Sequence, residues 1–154
     1  MTLMKPTTFV LDVDGVLSNG QFLYSEEGKI YKTFGPHDSD GLKMINALLD
    51  IRFISADKRG FEISKKRVTD MGFEIDLVSA TDRYSYIQDK YNLKAVIYMG
   101  DGYFDVSILE DCFFGIAPAG SRKEAITAAD FVTESIAGNG AIMDACIEIK
   151  RRFF

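Results

Sequence analysis

Positive charge is short in this sequence. Its 18 lysines and arginines face 23 aspartates and glutamates, for a formal net charge of −5. The pI is about 4.9. Non-specific binding to nucleic acid needs a basic surplus to displace phosphate counterions, so that class of partner is excluded. Cysteine is scarce too. Cys112 and Cys146 lie far apart, with no metal-type spacing, and read as buried thiols of a reducing compartment. Residues 1–8 hold one lysine and no apolar stretch before the first strand-like run. On this reading there is no signal peptide, no membrane span and no membrane partner, and the cytoplasm is the expected location. No internal repeat is visible.

What is present is the material of one ordinary domain covering residues 1–154. Hydrophobic residues make up 47% and charged residues 27%, a mix that buries a core without staples and argues against disorder. Strand-like runs fall at residues 8–13, 51–55, 73–78, 95–99 and 113–116. Helical patterns lie between them. One is capped by Ser39 or Asp40 and reaches about residue 50, with Leu42, Ile45, Leu48 and Leu49 inward. Others cover about 60–71, stopping at Gly72, then 83–91 and 103–111. Ser121 and Glu124 form a capping-box pattern for a fifth helix, and a last one runs over about 140–152. This alternation predicts an α/β fold, a Rossmann-like open parallel sheet with helices on both faces.

One segment breaks the rhythm. Gln21–Ser25 and Ile30–Phe34 are aromatic-rich runs around a turn containing Gly28. They predict a β-hairpin over about residues 20–35, inserted after the first strand. An isolated hairpin is marginal in water, and Phe22, Tyr24, Tyr31 and Phe34 would be costly to expose. They are expected to pack on another subunit; the other reading is that they fold back on their own domain.

The chemistry gathers at strand ends. The first run ends in Asp12-Val13-Asp14-Gly15. Residues at i and i+2 of a strand share a side, so both carboxylates leave the strand close together. They need a proton or a hard cation between them. A turn following a strand has the same composition. The second run ends in Ser55-Ala56-Asp57-Lys58-Arg59, whose hydroxyl and free N–H groups suit a phosphate oxygen; alone, Ser55 reads as a helix cap or turn residue. After the third run comes Arg83, which alone reads as a surface charge. The fourth ends in Gly100-Asp101-Gly102, with Asp105 a helical turn on. Taken together, three acids, a hydroxyl and a guanidinium at one sheet edge suit Mg²⁺-assisted phosphoryl transfer.

The order DVDGVL, ISAD, a basic residue and GDGYFD resembles the haloacid dehalogenase superfamily of aspartyl-phosphate phosphatases. The hairpin in place of a large cap, and the ending ADFVTESIAGNGAIMDAC, resemble its 3-deoxy-D-manno-octulosonate 8-phosphate phosphatase group and related nonulosonate phosphatases. The resemblance implies that Asp12 is the nucleophile and Asp14 the general acid and base. It implies a Mg²⁺ cofactor held by Asp12, the Asp14 backbone carbonyl and Asp101, with Asp105 orienting a bound water or the basic residue. Ser55 would hold the phosphoryl group beside Arg83. It also implies a homotetramer built through the hairpins, and a sugar phosphate substrate from lipopolysaccharide or sialic-acid-type biosynthesis.

Three departures bear on this. Arg83 stands where the family usually has lysine, and the two are not equivalent in geometry. The second motif continues Ala56-Asp57-Lys58-Arg59 instead of threonine-glycine-arginine. The segment after the hairpin carries the sole histidine, His37. Ser55, Ala56, Lys58, Arg59 and His37 are therefore the candidate substrate contacts. The Arg83 exchange also raises a second reading, a catalytically weak relative serving as an assembly or regulatory subunit. A receiver-type signalling domain is disfavoured, because its phosphoacceptor ends the third strand and it has no place for the hairpin. The basic tail Lys150-Arg151-Arg152 either reaches a neighbouring subunit's substrate or simply ends a helix.

Overall fold

The computed structural model of the chain describes residues 4–154. Met1, Thr2 and Leu3, where the segment inspected for a signal peptide begins, lie outside the described residues. The elements run β1 (Thr8–Asp12), β2 (Ser18–Ser25), β3 (Gly28–Phe34), α1 (His37–Ile45), β4 (Asp50–Ser55), α2 (Phe61–Asp70), β5 (Glu74–Leu77) and α3 (Arg83–Tyr91). They continue with β6 (Val96–Met99), α4 (Val106–Asp111), β7 (Phe114–Ala119), α5 (Lys123–Ala128), β8 (Phe131–Ile136) and α6 (Ala141–Phe153). No helix among the described residues is long and apolar enough to cross a membrane.

Six strands form one sheet in the order β5-β4-β1-β6-β7-β8, and every pairing is parallel. β1 lies inside, and all five of its residues are buried. That is why its sequence is a continuous apolar run and does not alternate. Phe9 and Leu11 enter a core shared with Leu42 and Ile45 of α1, Val68 of α2 and Ile142, Cys146 and Ile149 of α6. Val10 points the other way, into a second core with Ile87 of α3, Ile108 of α4 and Ala125 of α5. Helices thus cover both faces, as the alternation implies.

Several local expectations are corrected. β8 is a sixth strand that the sequence reading lacks; it is an edge strand with one buried residue in six. α1 starts at His37 with Pro36 at its cap position, not at Ser39 or Asp40. It stops at Ile45, and Leu48, expected inward, is exposed because the chain turns there to enter β4. The Ser121 hydroxyl donates to the Pro118 carbonyl at 2.7 Å, so no capping box forms at α5. Gly72 does close α2 with φ +89°, the left-handed conformation that glycine adopts without strain. Both cysteines are buried and free. The basic tail ends α6: Arg151 and Arg152 each reach back to Glu148, at 2.7 Å, while Phe153 packs on Phe113 and Phe114.

The insertion is the antiparallel pair β2–β3. Its aromatics and its lysine differ sharply in burial. Phe22, Tyr24 and Tyr31 are 46%, 61% and 65% exposed, whereas Lys32 is buried. Three of the aromatics therefore do not fold back on their own domain. Phe34, at the base, does pack on the core and leaves the expected exposed set.

Candidate active site

The fold brings the expected strand ends to one edge. β1 pairs with β4 on one side and β6 on the other, with Asp12 opposite Ile54 and Leu11 opposite Met99. Ser55 and the Gly100–Gly102 loop consequently flank Asp12. The chain passes from β1 to one flank and returns to the other at β6, so the site sits at the switch point of the sheet, where open α/β folds bind ligands.

Asp12 is 8% exposed. Its Oδ1 accepts from the Val13 amide at 2.8 Å, and its Oδ2 lies 3.1 Å from Arg83 Nη1. Arg83 opens α3 and is buried. The same nitrogen lies 3.0 Å from Asp105 Oδ1 and donates to the Tyr98 hydroxyl at 3.2 Å. Tyr98 in turn donates to Asp105. Asp105 Oδ2 accepts from the amides of Asp101 at 3.1 Å and Gly102 at 2.9 Å. Asp105 therefore has both oxygens engaged, and it fixes the loop that presents Asp101.

Close approach demands glycine here. Gly15 has φ +80°, and a Cβ on it would fall 1.9 Å from Asp101 Oδ2. The Asp-Xaa-Asp-Gly order thus does more than turn the chain; it lets the β1 loop pass directly over the β6 loop.

Asp12, Asp101 and Asp105 each offer one oxygen, all within 4.8 Å of one another. Burial pushes Asp12 up to about 7; Arg83 opposes this, and Asp105 and Asp101 reinforce it. Burial likewise pushes Asp101 up to about 7, with Asp105 adding to it. Burial by itself would lower Arg83, but Asp12, Tyr98 and Asp105 outweigh it and keep the guanidinium charged. Three carboxylates against one guanidinium leave two negative charges in a sparsely solvated pocket. An all-oxygen donor set with that deficit fits a hard divalent cation such as Mg²⁺.

Asp14 is oriented away from this cluster's arginine. Its Oδ1 lies 2.9 Å from Lys32 Nζ, its Oδ2 accepts from that nitrogen at 3.0 Å, and the Ser18 hydroxyl donates to Oδ1 at 3.4 Å. Ser55 is buried, and its oxygen accepts the Asp57 amide at 3.2 Å, which leaves its own proton free to donate. Ala56 is half-buried, while Lys58, Arg59 and His37 are exposed and stand outside the buried cluster. Two participants went unread in the sequence. Tyr98 has the pattern of an ordinary strand aromatic, and Lys32 lies in a hairpin dominated by aromatics. Period-2 alternation does place Lys32 opposite the faces of Tyr31 and Thr33, a usable signal.

A family model described as haloacid dehalogenase-like hydrolase matches residues 80–145. The 3-deoxy-D-manno-octulosonate 8-phosphate phosphatase of Haemophilus influenzae is 27% identical over 140 residues, 88% of this chain and 77% of that protein. Its counterpart in Escherichia coli K12 is 26% identical over 143 residues, 89% and 75% of the two chains. Among solved structures, the cobalt-bound form of the Haemophilus influenzae phosphatase superposes with a TM-score of 0.83 at 25% identity, over 96% of this chain and 89% of that one. The Moraxella catarrhalis phosphatase, in complex with magnesium, phosphate and KDO, superposes with a TM-score of 0.81 at 25% identity, over 95% and 86%.

Proposed function

We propose that this chain, similar to haloacid dehalogenase-like hydrolases over residues 80–145 and to octulosonate phosphatases over most of its length, hydrolyses a 3-deoxy sugar acid phosphate through an aspartyl-phosphate on Asp12. The substrate is 3-deoxy-D-manno-octulosonate 8-phosphate or a nine-carbon analogue. The observation that carries this reading is the buried Asp12 carboxylate held by Arg83 with Asp101 beside it.

In the first step an Asp12 oxygen bonds to phosphorus and the phosphorus–sugar oxygen bond breaks. Asp14 gives its proton to the leaving oxygen. In the second step Asp14 takes a proton from water, which attacks phosphorus. Inorganic phosphate leaves and the Asp12 carboxylate is restored. Ser55 donates its free proton to a phosphoryl oxygen, and Arg83 balances the developing charge. Asp12 and Asp101 would hold Mg²⁺, and Asp105 keeps Asp101 and Arg83 in place. When bound, the cation supplies charge neutralisation for the phosphoryl group.

Lys58, Arg59 and His37 are exposed and would meet the sugar acid. The exposed hairpin aromatics Phe22, Tyr24 and Tyr31 support assembly into a homotetramer in which a neighbour closes each site. Arg83 keeps a buried cation where the family usually has lysine, which favours an enzyme over a regulatory subunit. The test is phosphate release with Mg²⁺ from a panel of eight- and nine-carbon sugar acid phosphates, with Asp12→Asn and chelation as controls. Strong preference for one member, abolished by both controls, is expected. No release by folded, metal-replete protein would sink the reading.

A further inference from the structure

Lys32 is the one fully buried residue of β3, and its side chain is 0% exposed. Lysine is seldom buried unless paired. Here the ammonium meets groups from three separate segments: Asp14 at 2.9 and 3.0 Å, Asp57 at 2.9 Å and the Ser64 hydroxyl of α2 at 2.8 Å. An ammonium has three protons, so these partners exhaust it. Asp57 also pairs with Lys29 at 2.7 Å. Burial would raise Asp57, yet Lys29 and Lys32 outweigh it and hold it at about 2. The space is kept open by Gly60, where a Cβ would fall 2.4 Å from Asp57 Oδ2 and 2.7 Å from Lys32 Cε.

We propose that Lys32 is the positioning residue for Asp14, and that it ties the acid/base group to the hairpin. This rests on the phosphatase reading above. Among the described residues Lys32 is the only cation paired with the Asp14 carboxylate, whose side chain remains 33% exposed and so still open to a substrate. A general acid must lie within hydrogen-bond reach of the atom it protonates, and small misplacements cost much of the rate. Lys32 engages both Asp14 oxygens and is itself fixed from the opposite side by Asp57 and Ser64. Its strand neighbours Tyr31 and Thr33 are exposed, so whatever orders the hairpin also orders Asp14. The lysine makes no bond with substrate; it acts through the carboxylate.

The test uses the full chain with saturating Mg²⁺ and the sugar phosphate that the wild type hydrolyses best. Lys32→Met is expected to lower kcat by roughly 10- to 100-fold, with KM within about twofold. Lys32→Arg, which keeps the charge, is expected to recover part of the loss. In an Asp14→Asn background, Lys32→Met should add no more than about twofold, because its partner is already disabled. A kcat within about twofold of wild type overturns the proposal. So does a raised KM at unchanged kcat, which would place the lysine on the substrate, or a full multiplicative loss in the Asp14→Asn background. Should Lys32→Met fail to show a cooperative thermal transition, Ser64→Ala carries the same test: a several-fold lower kcat supports the proposal and an unchanged one overturns it. A wild type inert on every sugar phosphate removes the phosphatase reading, and this inference with it; an active wild type with an unaffected Lys32→Met removes this inference alone.

Discussion

Replacing Arg83 with methionine fills much of the same volume and removes the only cation, among the described residues, that pairs with Asp12 and Asp105. The guanidinium lies 3.1 Å from one carboxylate and 3.0 Å from the other. At an effective dielectric constant of about 20, each contact is a gross attraction of roughly 5 kcal/mol. Burying the guanidinium offsets much of that. Removing one partner of a buried ion pair costs about 3–5 kcal/mol net, which is the loss expected for Arg83→Met at pH 8 in chelator. With a urea slope near 2 kcal/mol/M, the unfolding midpoint should fall by about 2 M. The effect depends on pH. Asp12 and Asp101 are raised to about 7, above their unfolded values, so the folded state binds protons more tightly than the unfolded one. Their charged forms penalise folding, and the penalty grows as pH rises from about 4 to 7. At pH 5 both are mostly protonated, and the difference between wild type and Arg83→Met should shrink to about half. Equal midpoints at pH 8, or a larger gap at pH 5 than at pH 8, would refute the reasoning. Mg²⁺ at pH 8 should raise both midpoints, by mass action on the folded state.

Two further outcomes are expected. Asp38 of α1 is 1% exposed with no hydrogen-bond partner on either oxygen, and burial pushes it up to about 7 against the pull of Arg67. Its folded value is raised, so it destabilises increasingly between about pH 4 and 7; Asp38→Asn should gain about 1–3 kcal/mol at pH 8 and nothing at pH 4 in thermal melts. Phe22→Ser with Tyr31→Ser removes an exposed aromatic from each face of the hairpin, and light scattering should show the proposed homotetramer falling to smaller species, whereas an unchanged mass would reject the hairpin as the interface.

The parts of the molecule legible in the sequence share a physical cause. β1 is buried on both faces, so its apolar run stands out, and the acids after it mark where the run leaves the core. Asp101 was readable because glycine flanks it on both sides and the loop needs that freedom. β8 was not legible: as an edge strand with one buried residue, it offers little apolar pattern. Ser121 fits the composition of a cap, but a nearer acceptor, the Pro118 carbonyl, takes its hydroxyl. The buried lysine of the hairpin was not legible either. Aromatic residues ordinarily mark the inward face, and here the inward residue is a lysine whose burial depends on carboxylates from distant segments. No local window contains Asp14, Asp57 and Ser64 at once.

The contrast in exposure around the site has an evolutionary consequence. Of the groups proposed for the phosphoryl end, Asp12, Arg83 and Asp105 are buried and mutually bonded and Ser55 is buried beside them in the sheet, so a change at any one is felt in the core. The groups proposed to meet the sugar, His37, Lys58 and Arg59, are exposed, and surface exchanges of that kind usually cost about 0.5 kcal/mol or less. Selection can therefore exchange one sugar for another at almost no cost in folding while the chemistry stays fixed. A lineage built on this scaffold would diversify its substrates at the rim and leave its strand ends alone.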